Sequence, residues 1–132
     1  MDNQDIGAAV EAFIRYTKAF RSLDARAVAS HFEAPAIMIS PHGVVALPDA
    51  AAIERVYAPV MADLSTKGYA RTDFSALGGR RLSRDLAVVT GAGAWVTKSG
   101  DPFSRFGMTY TLHLSDQTWR IVVAIIHDPD AK

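Results

Sequence analysis

The chain contains no cysteine, which removes disulfides, thiol nucleophiles and thiolate metal sites and leaves the cellular compartment open. It has no surplus of charge of either sign: 14 Lys plus Arg balance 14 Asp plus Glu. Without a positive field nothing gathers phosphate backbones or anionic lipid, so neither nucleic acid nor a membrane is an expected partner. No apolar run approaches the ~20 residues that span a bilayer. The start, Met1-Asp2-Asn3-Gln4-Asp5, lacks the basic-then-apolar order of a secretory signal. A soluble, cytosolic protein is the expectation. The four histidines show no spacing of the His-Glu-x-x-His kind, so no metal is expected, and no residue pattern asks for another cofactor.

What the chain has is apolar substance, 49% of 132 residues against 21% charged, which suits a single domain over residues 1–132 with one core. Ile6, Val10, Phe13, Ile14, Thr17 and Phe20 recur at spacings of three and four and predict a first helix. Asp2 and Asn3 can cap it, and Asp5 suits the positive end of its dipole. Asp24 suits the cap of a short second helix, with Val28 and Phe32 on its buried side and an end before Pro35. His31 at that end suits the negative helix terminus as a cation, although a capping or surface role is the reading preferred. Residues 36–40 read as a strand, stopped by Pro41-His42-Gly43, and Val44 to Leu47 returns as its hairpin partner. A third helix follows Pro48-Asp49. Its apolar positions, Ile53, Val56, Tyr57, Val60, Met61 and Leu64, fall at i, i+3, i+4, i+7, i+8 and i+11. Pro59 inside this stripe predicts a kink rather than a break, and Lys67-Gly68 the stop.

Beyond Gly68 the period shortens. Residues 69–83, 85–98, 103–114 and 118–128 read as strands joined by short polar turns, an antiparallel meander, with Gly78-Gly79 marking a bulge in the first. In the last strand Ile121, Val123, Ile125 and His127 share the face assigned to the interior, and Val122, Ala124 and Ile126 the other. Both faces are apolar, whereas a sheet with one wet face alternates. A homodimer packed sheet to sheet, with Trp95 in the contact, is therefore expected. On the second long strand Val88, Thr90, Ala92, Ala94 and Val96 form a row of small side chains beside Met108, Tyr110 and Leu112. Either the helices pack closer against such a row or a void remains for a small apolar ligand, and since large empty voids are rare in packed interiors an occupied cavity is the expectation.

The element order, with the segment from Phe13-Ile14-Arg15-Tyr16 through Asp24 and with Phe32-Glu33-Ala34-Pro35, resembles the nuclear-transport-factor-2-like superfamily over nearly the whole chain. That group includes ketosteroid isomerases, SnoaL-type polyketide cyclases and scytalone dehydratase. The resemblance implies an α+β fold, a cystatin-like cone. In it three N-terminal helices pack on a strongly curved, mostly antiparallel sheet of about six strands around a deep cavity, and sheet-mediated dimers are frequent. In the ketosteroid isomerases a tyrosine of the first helix holds the developing enolate oxygen, and a tyrosine of the third helix supports it. A protonated acid on a later strand adds a second donor, and a carboxylate before a proline is the general base. The resemblance places Tyr16, Tyr57 and Tyr110 at the donor positions and Ser40, before Pro41, at the base. A serine with no adjacent base cannot take a proton from carbon near neutral pH.

The candidate catalytic residues are thus Tyr16, Tyr57 and His127, the histidine either standing in as base or reading as a partly wet, inert residue at the strand end. Ser40, Val56, Val60 and Met61, with Thr90, Ala92, Met108 and Tyr110 from the sheet, are expected to line the ligand site. His42, in a turn, and His113, opposite Tyr110, are read as facing away from it, and Arg80, Arg81 and Arg84 as a solvated cluster. Tyr16 also reads as an ordinary core tyrosine satisfied by Tyr57, which is compatible with a donor role. Three functions stay open: an isomerase- or cyclase-like enzyme on a small apolar carbonyl or hydroxyl compound, a noncatalytic carrier or sensor, and a dimeric interaction module.

Overall fold

The structure, a computed structural model, describes residues 3–128. Asp2 and the side chains of Asn3, Asp5 and Ile6, named above for the first helix, lie outside the described residues. Helix α1 runs over Asn3–Arg21 and buries Ala9, Ala12, Phe13, Tyr16 and Phe20. The expected stripe is turned slightly: Ile14 is exposed, and Tyr16, outside that stripe, stands in the buried face. Leu23 takes a left-handed turn at φ 59. Asp24 then caps α2 (Ala25–Ala29), its side chain accepting from the backbone N–H groups of Arg26 and Ala27. His31 lies just beyond α2, where its backbone N–H donates to the Val28 carbonyl at 3.1 Å, and burial, followed by the nearby Arg15 charge, lowers its pKa, which disfavours the cation there.

Strand β1 (Phe32–Ser40) begins four residues earlier than the sequence suggests, so Phe32 belongs to the sheet and not to α2. It turns at Pro41-His42 into β2 (Gly43–Leu47), and Asp49 caps α3 (Ala50–Thr66) by accepting from the Ala52 N–H at 2.8 Å. The helix continues through Pro59, burying Ile53, Tyr57, Met61 and Leu64, and stops at Lys67 before Gly68, whose φ is +74. Among the described residues no helix is long and apolar enough to cross a membrane.

The meander follows as β3 (Tyr69–Ser83), β4 (Leu86–Thr97), β5 (Pro102–Ser115) and β6 (Thr118–His127). The β5–β6 connection is a two-residue turn with Asp116 and Gln117 both at positive φ, the geometry that matches strand twist. The β3 bulge falls between Ser75 and Gly78, where Ala76 has φ 53. One open sheet results, in the order β2-β1-β6-β5-β4-β3, antiparallel except where β1 runs parallel to β6. The helices pack on one face of this curved sheet.

Register decides which side chains that face receives. Tyr110 is paired with Val89 and Ala124, and Met108 with Gly91 and Ile126. A bulge between Thr111 and Leu112 leaves Val122 unpaired, so Ile121 lies on the inner face and so do Ala124 and Ile126 beyond it. Val123, Ile125 and His127 therefore lie on the outer face, with Thr111, Thr109 and Gly107, the reverse of the expected assignment. The same parity puts Thr90 and Ala92 outside and Val89, Gly91, Gly93 and Trp95 inside. Trp95 stacks on Phe20 at 6.0 Å between ring centroids instead of joining an outer contact.

Candidate functional site

Between α1, α3 and the inner face of the sheet lies a cavity of about 490 Å³, within the roughly 300–1,000 Å³ range of small-molecule sites. Its buried end is made by tyrosines from three elements. Tyr16 sits one turn after Phe13 and one before Phe20, on the buried face of α1. Tyr57 occupies the corresponding face of α3, and Tyr110 rises from β5 between the small neighbours Val89 and Ala124. The Tyr16 hydroxyl lies 3.2 Å from that of Tyr57 and 3.1 Å from that of Tyr110.

Burial raises the pKa of all three. For Tyr16 the two neighbouring tyrosines push further in the same direction. For Tyr57 the approach of Tyr110 adds to burial, and the bond from Tyr16 offsets part of the rise. Tyr110 is pushed up to about 12, again with Tyr16 offsetting part of the effect of burial. The trio is therefore neutral across the physiological range. Three hydroxyls carry three protons, and two hydrogen bonds use two of them. One O–H is left to donate beyond the trio.

The remaining walls are mostly carbon, and the lining hydroxyls of Thr17 and Thr72 are engaged by the Ile14 carbonyl and the Tyr69 hydroxyl. Phe13, Phe20, Phe74, Trp95 and Phe106 supply rings, and Met38, Val60, Met108 and Ile126 supply aliphatic and thioether surface. Room beside Phe106 comes from Gly93, where a Cβ would meet the Phe106 ring at 2.7 Å. The open end is formed by exposed residues of two elements: Pro41 and His42 after β1, and Pro59 and Asp63 on α3. Ser40 Oγ accepts a hydrogen bond from the His42 backbone N–H at 3.1 Å. Asp63 pairs with Lys67 at 3.0 Å.

Tyr16, Tyr57, Ser40, Val60, Met108 and Tyr110 thus meet at one cavity. Val56 and Met61 do not line it: Val56 is half-buried against the core, and Met61 is buried within it. Thr90 and Ala92 are on the opposite face of the sheet, and His127 lies there too, its ring over Gly107 and its Nδ1 3.0 Å from the Asp128 carbonyl. His42 reverses its expected role, because the turn carrying it folds toward the cavity. Asp63, Phe74, Trp95 and Phe106 are further lining residues that the sequence reading passed over. Asp63 extends the Tyr57-Val60 stripe by three positions, and the aromatic residues follow once the strand parity is set from Tyr110. Among the described residues no group of three or more His, Cys, Asp or Glu is arranged to hold a metal.

Residues 4–129 match the family model described as NTF2-like protein (DUF6841). The chain belongs to this family. Solved structures agree on the fold of this NTF2-like chain. The protein Aln2 from a Streptomyces species superposes with a TM-score of 0.80 at 15% identity, covering 98% of this chain and 94% of the other. An NTF2-like protein with a cystatin-like fold from Novosphingobium aromaticivorans gives 0.78 at 16% identity, over 98% and 85% of the two chains. A protein of unknown function with a cystatin-like fold from Nostoc punctiforme gives 0.76 at 14% identity, over 98% and 96%. At these identities the likeness concerns the fold alone. Among curated proteins none matches the chain.

Proposed function

We propose that this NTF2-like protein binds a small apolar molecule through a carbonyl or hydroxyl oxygen held by the tyrosine trio. The observation that carries the reading is the proton count: two hydrogen bonds among three buried, neutral hydroxyls leave one donor for an acceptor at the buried end of a largely apolar cavity. Either oxygen of each pair can donate, so the proton offered to the ligand belongs to whichever tyrosine does not donate within the trio, and Tyr16, bonded to both others, links the alternatives. No arginine or lysine lines the cavity among the described residues. A neutral ligand therefore suits it better than a carboxylate or phosphate.

Whether the bound molecule is transformed divides the reading. The resemblance to isomerases and cyclases supports an enzyme, and the serine at position 40 supports a carrier. A thermal-shift screen over steroids, terpenoids and aromatic polyketides tests the cavity, because a ligand that binds the folded state raises the melting temperature by mass action. Stabilisation that disappears in Tyr16→Phe is the expected result. A panel without any stabilising member would end the reading. Turnover of a stabilising compound then separates enzyme from carrier.

A homodimer through the outer face of the sheet belongs to the same proposal. Val44 is 72% and Ile37 41% exposed on that face, beside half-buried Ile39, Val123 and Ile125. A contiguous apolar surface of this kind usually marks an interface.

A further inference from the structure

The cavity carries a second hydroxyl pair besides the trio. Half-buried Thr72 lines it from β3, with its Oγ1 2.8 Å from the Tyr69 hydroxyl. Register pairs Thr72 with Trp95, on the inner face of the sheet. Tyr69 is buried behind the lining and stands edge-on to Trp95 at 6.5 Å. Burial raises its pKa, with the Thr72 bond and the Arg21 charge offsetting part of the rise, so the phenol is neutral. Two hydroxyls joined by one hydrogen bond leave one proton unspent. If Tyr69 donates, the Thr72 proton is free for the cavity, and if Thr72 donates, its lone pairs are free. Thr17, also in the lining, has committed its proton to the Ile14 carbonyl at 2.6 Å and can only accept. Phe20 ties the pair to the trio. Its ring lies 6.1 Å from that of Tyr16 and 6.3 Å from that of Tyr57, and 6.0 Å from that of Tyr69. Both sets of hydroxyls therefore border one phenylalanine of the cavity wall, which also stacks on Trp95.

We propose that Thr72 is a second polar subsite of the cavity, and that the ligand is a flat, neutral aromatic molecule with oxygen at both ends. The trio holds one oxygen, and Thr72 Oγ1 holds a hydroxyl at the other end. The proposal rests on the ligand-binding reading above and narrows it from one oxygen to two. The aromatic body follows from the rings of Phe20, Phe74 and Trp95 in the wall. The hydroxyl follows from Thr72, whose free group is a proton in one arrangement and a lone pair in the other. A ligand hydroxyl donates and accepts, so it satisfies both. A ligand that presents only carbon there shuts the Thr72 group away from water without a partner. That loss is the source of discrimination, and Thr72 is thus a specificity-determining residue.

The test uses three probes of similar size: 2-naphthol, 2,6-naphthalenediol with hydroxyls at opposite ends, and 2,3-naphthalenediol with both at one end. Calorimetric titration of the full chain reads their affinities. 2,6-Naphthalenediol should bind about tenfold more tightly than 2-naphthol, and 2,3-naphthalenediol should not share the gain. Thr72→Val keeps the shape of the side chain and should bring the affinities of 2,6-naphthalenediol and 2-naphthol together, whereas Thr72→Ser should keep them apart. If Thr72→Val fails to fold because Tyr69 loses its partner, the double variant Tyr69→Phe, Thr72→Val removes both hydroxyls and should erase the same gain. Tyr16→Phe should weaken all three probes. If 2-naphthol and 2,6-naphthalenediol bind alike, if 2,3-naphthalenediol gains as much, or if the gain survives Thr72→Val, the subsite is overturned while the trio reading stands. If none of the three binds while a member of the thermal-shift panel stabilises the protein, the two-ended aromatic class falls and the subsite with it. If nothing binds, both readings fall.

Discussion

The hydroxyl of Tyr16 lies 3.1 Å from that of Tyr110 although 94 positions separate them in sequence, which ties the first helix to the centre of the sheet. Tyr57 reaches the same Tyr16 oxygen at 3.2 Å, so Tyr16 is the middle member of the chain of hydroxyls. Deleting the middle and deleting an end should differ. Tyr16→Phe leaves two buried hydroxyls without their partner and is expected to cost about 2–4 kcal/mol, whereas Tyr57→Phe leaves the other bond in place and should cost about 1 kcal/mol. Urea denaturation with matched slopes measures both. Equal losses would remove Tyr16 from the centre.

Alkaline titration probes the same trio. A tyrosine whose folded pKa exceeds its unfolded value of about 10 binds its proton more tightly in the folded state. It therefore contributes stability that is present below about pH 10 and lost as pH rises through the folded value. Tyr110 is pushed up to about 12, and burial also raises Tyr16 and Tyr57. Stability should fall between about pH 10 and 12, with tyrosinate absorbance rising in the same interval rather than before it. A tyrosinate signal complete by about pH 10 in the folded protein would contradict the buried, neutral trio.

Gly93 sets the width of the cavity beside Phe106. A Cβ there would sit 2.7 Å from one ring atom of Phe106 and 2.8 Å from another, so the ring must move. Phe106 is buried and packs edge-on against Trp95 at 5.3 Å, which leaves little slack. Gly93→Ala should cost about 1–3 kcal/mol by overpacking and weaken any ligand that stabilises the original protein. At Gly107 the clashing group is the exposed His127 ring, which can swing away. Gly107→Ala should therefore cost less than Gly93→Ala, and thermal melts of the two variants compare them directly.

The contrast between these glycines shows what the sequence could convey. Element order was legible, because Asp24 and Asp49 cap helices by local chemistry and the α3 stripe has a clear helical period. Strand parity was not. Val88 and Val89, or Ile125 and Ile126, are equally apolar, so alternation cannot say which of each pair faces inward. The unpaired Val122 shifts the count within β6, and an unpaired residue of this kind leaves no mark in an all-apolar strand. Hence Tyr16, Tyr57 and Tyr110 fell at one site, while Thr90, Ala92 and His127 were assigned the wrong face. The start of β1 was hidden by Pro35, which reads as a breaker. It stands where neither neighbouring strand has a paired residue, so its missing N–H breaks no ladder bond.

On the outer face His113 sits between two carboxylates, with Glu33 at 3.0 Å and Asp85 at 3.9 Å. The hydrogen bond to Glu33 is the main cause of its raised pKa, and the charges of Glu33 and Asp85 act in the same direction. A histidine raised in the folded state stabilises the fold fully below its unfolded pKa of about 6.5, and this contribution is lost as pH rises through the folded value. Glu33→Gln should therefore lower the melting temperature at about pH 5 and have less effect at about pH 9. A difference between the two proteins that is constant across that interval would separate His113 from the pH response.

Ile37 and Val44 stand exposed on that outer face, on neighbouring strands β1 and β2, and Ile37 is paired in register with Val123 of β6. Charged side chains are absent from the Ile37, Ile39, Val123 and Ile125 positions that form the row. A lone edge strand of this character would invite uncontrolled pairing, but a broad face can be closed by one symmetric contact between two copies. Sedimentation or light scattering should therefore give twice the chain mass of 14.3 kDa. Ile125→Lys places a charge in the middle of the row without touching the tyrosine trio, and it should shift the protein to the single-chain mass. Stabilisation by cavity ligands should survive in that variant, since the cavity opens on the other side of the sheet. A mass of one chain for the unaltered protein at micromolar concentration would remove the dimer and leave the binding reading untouched.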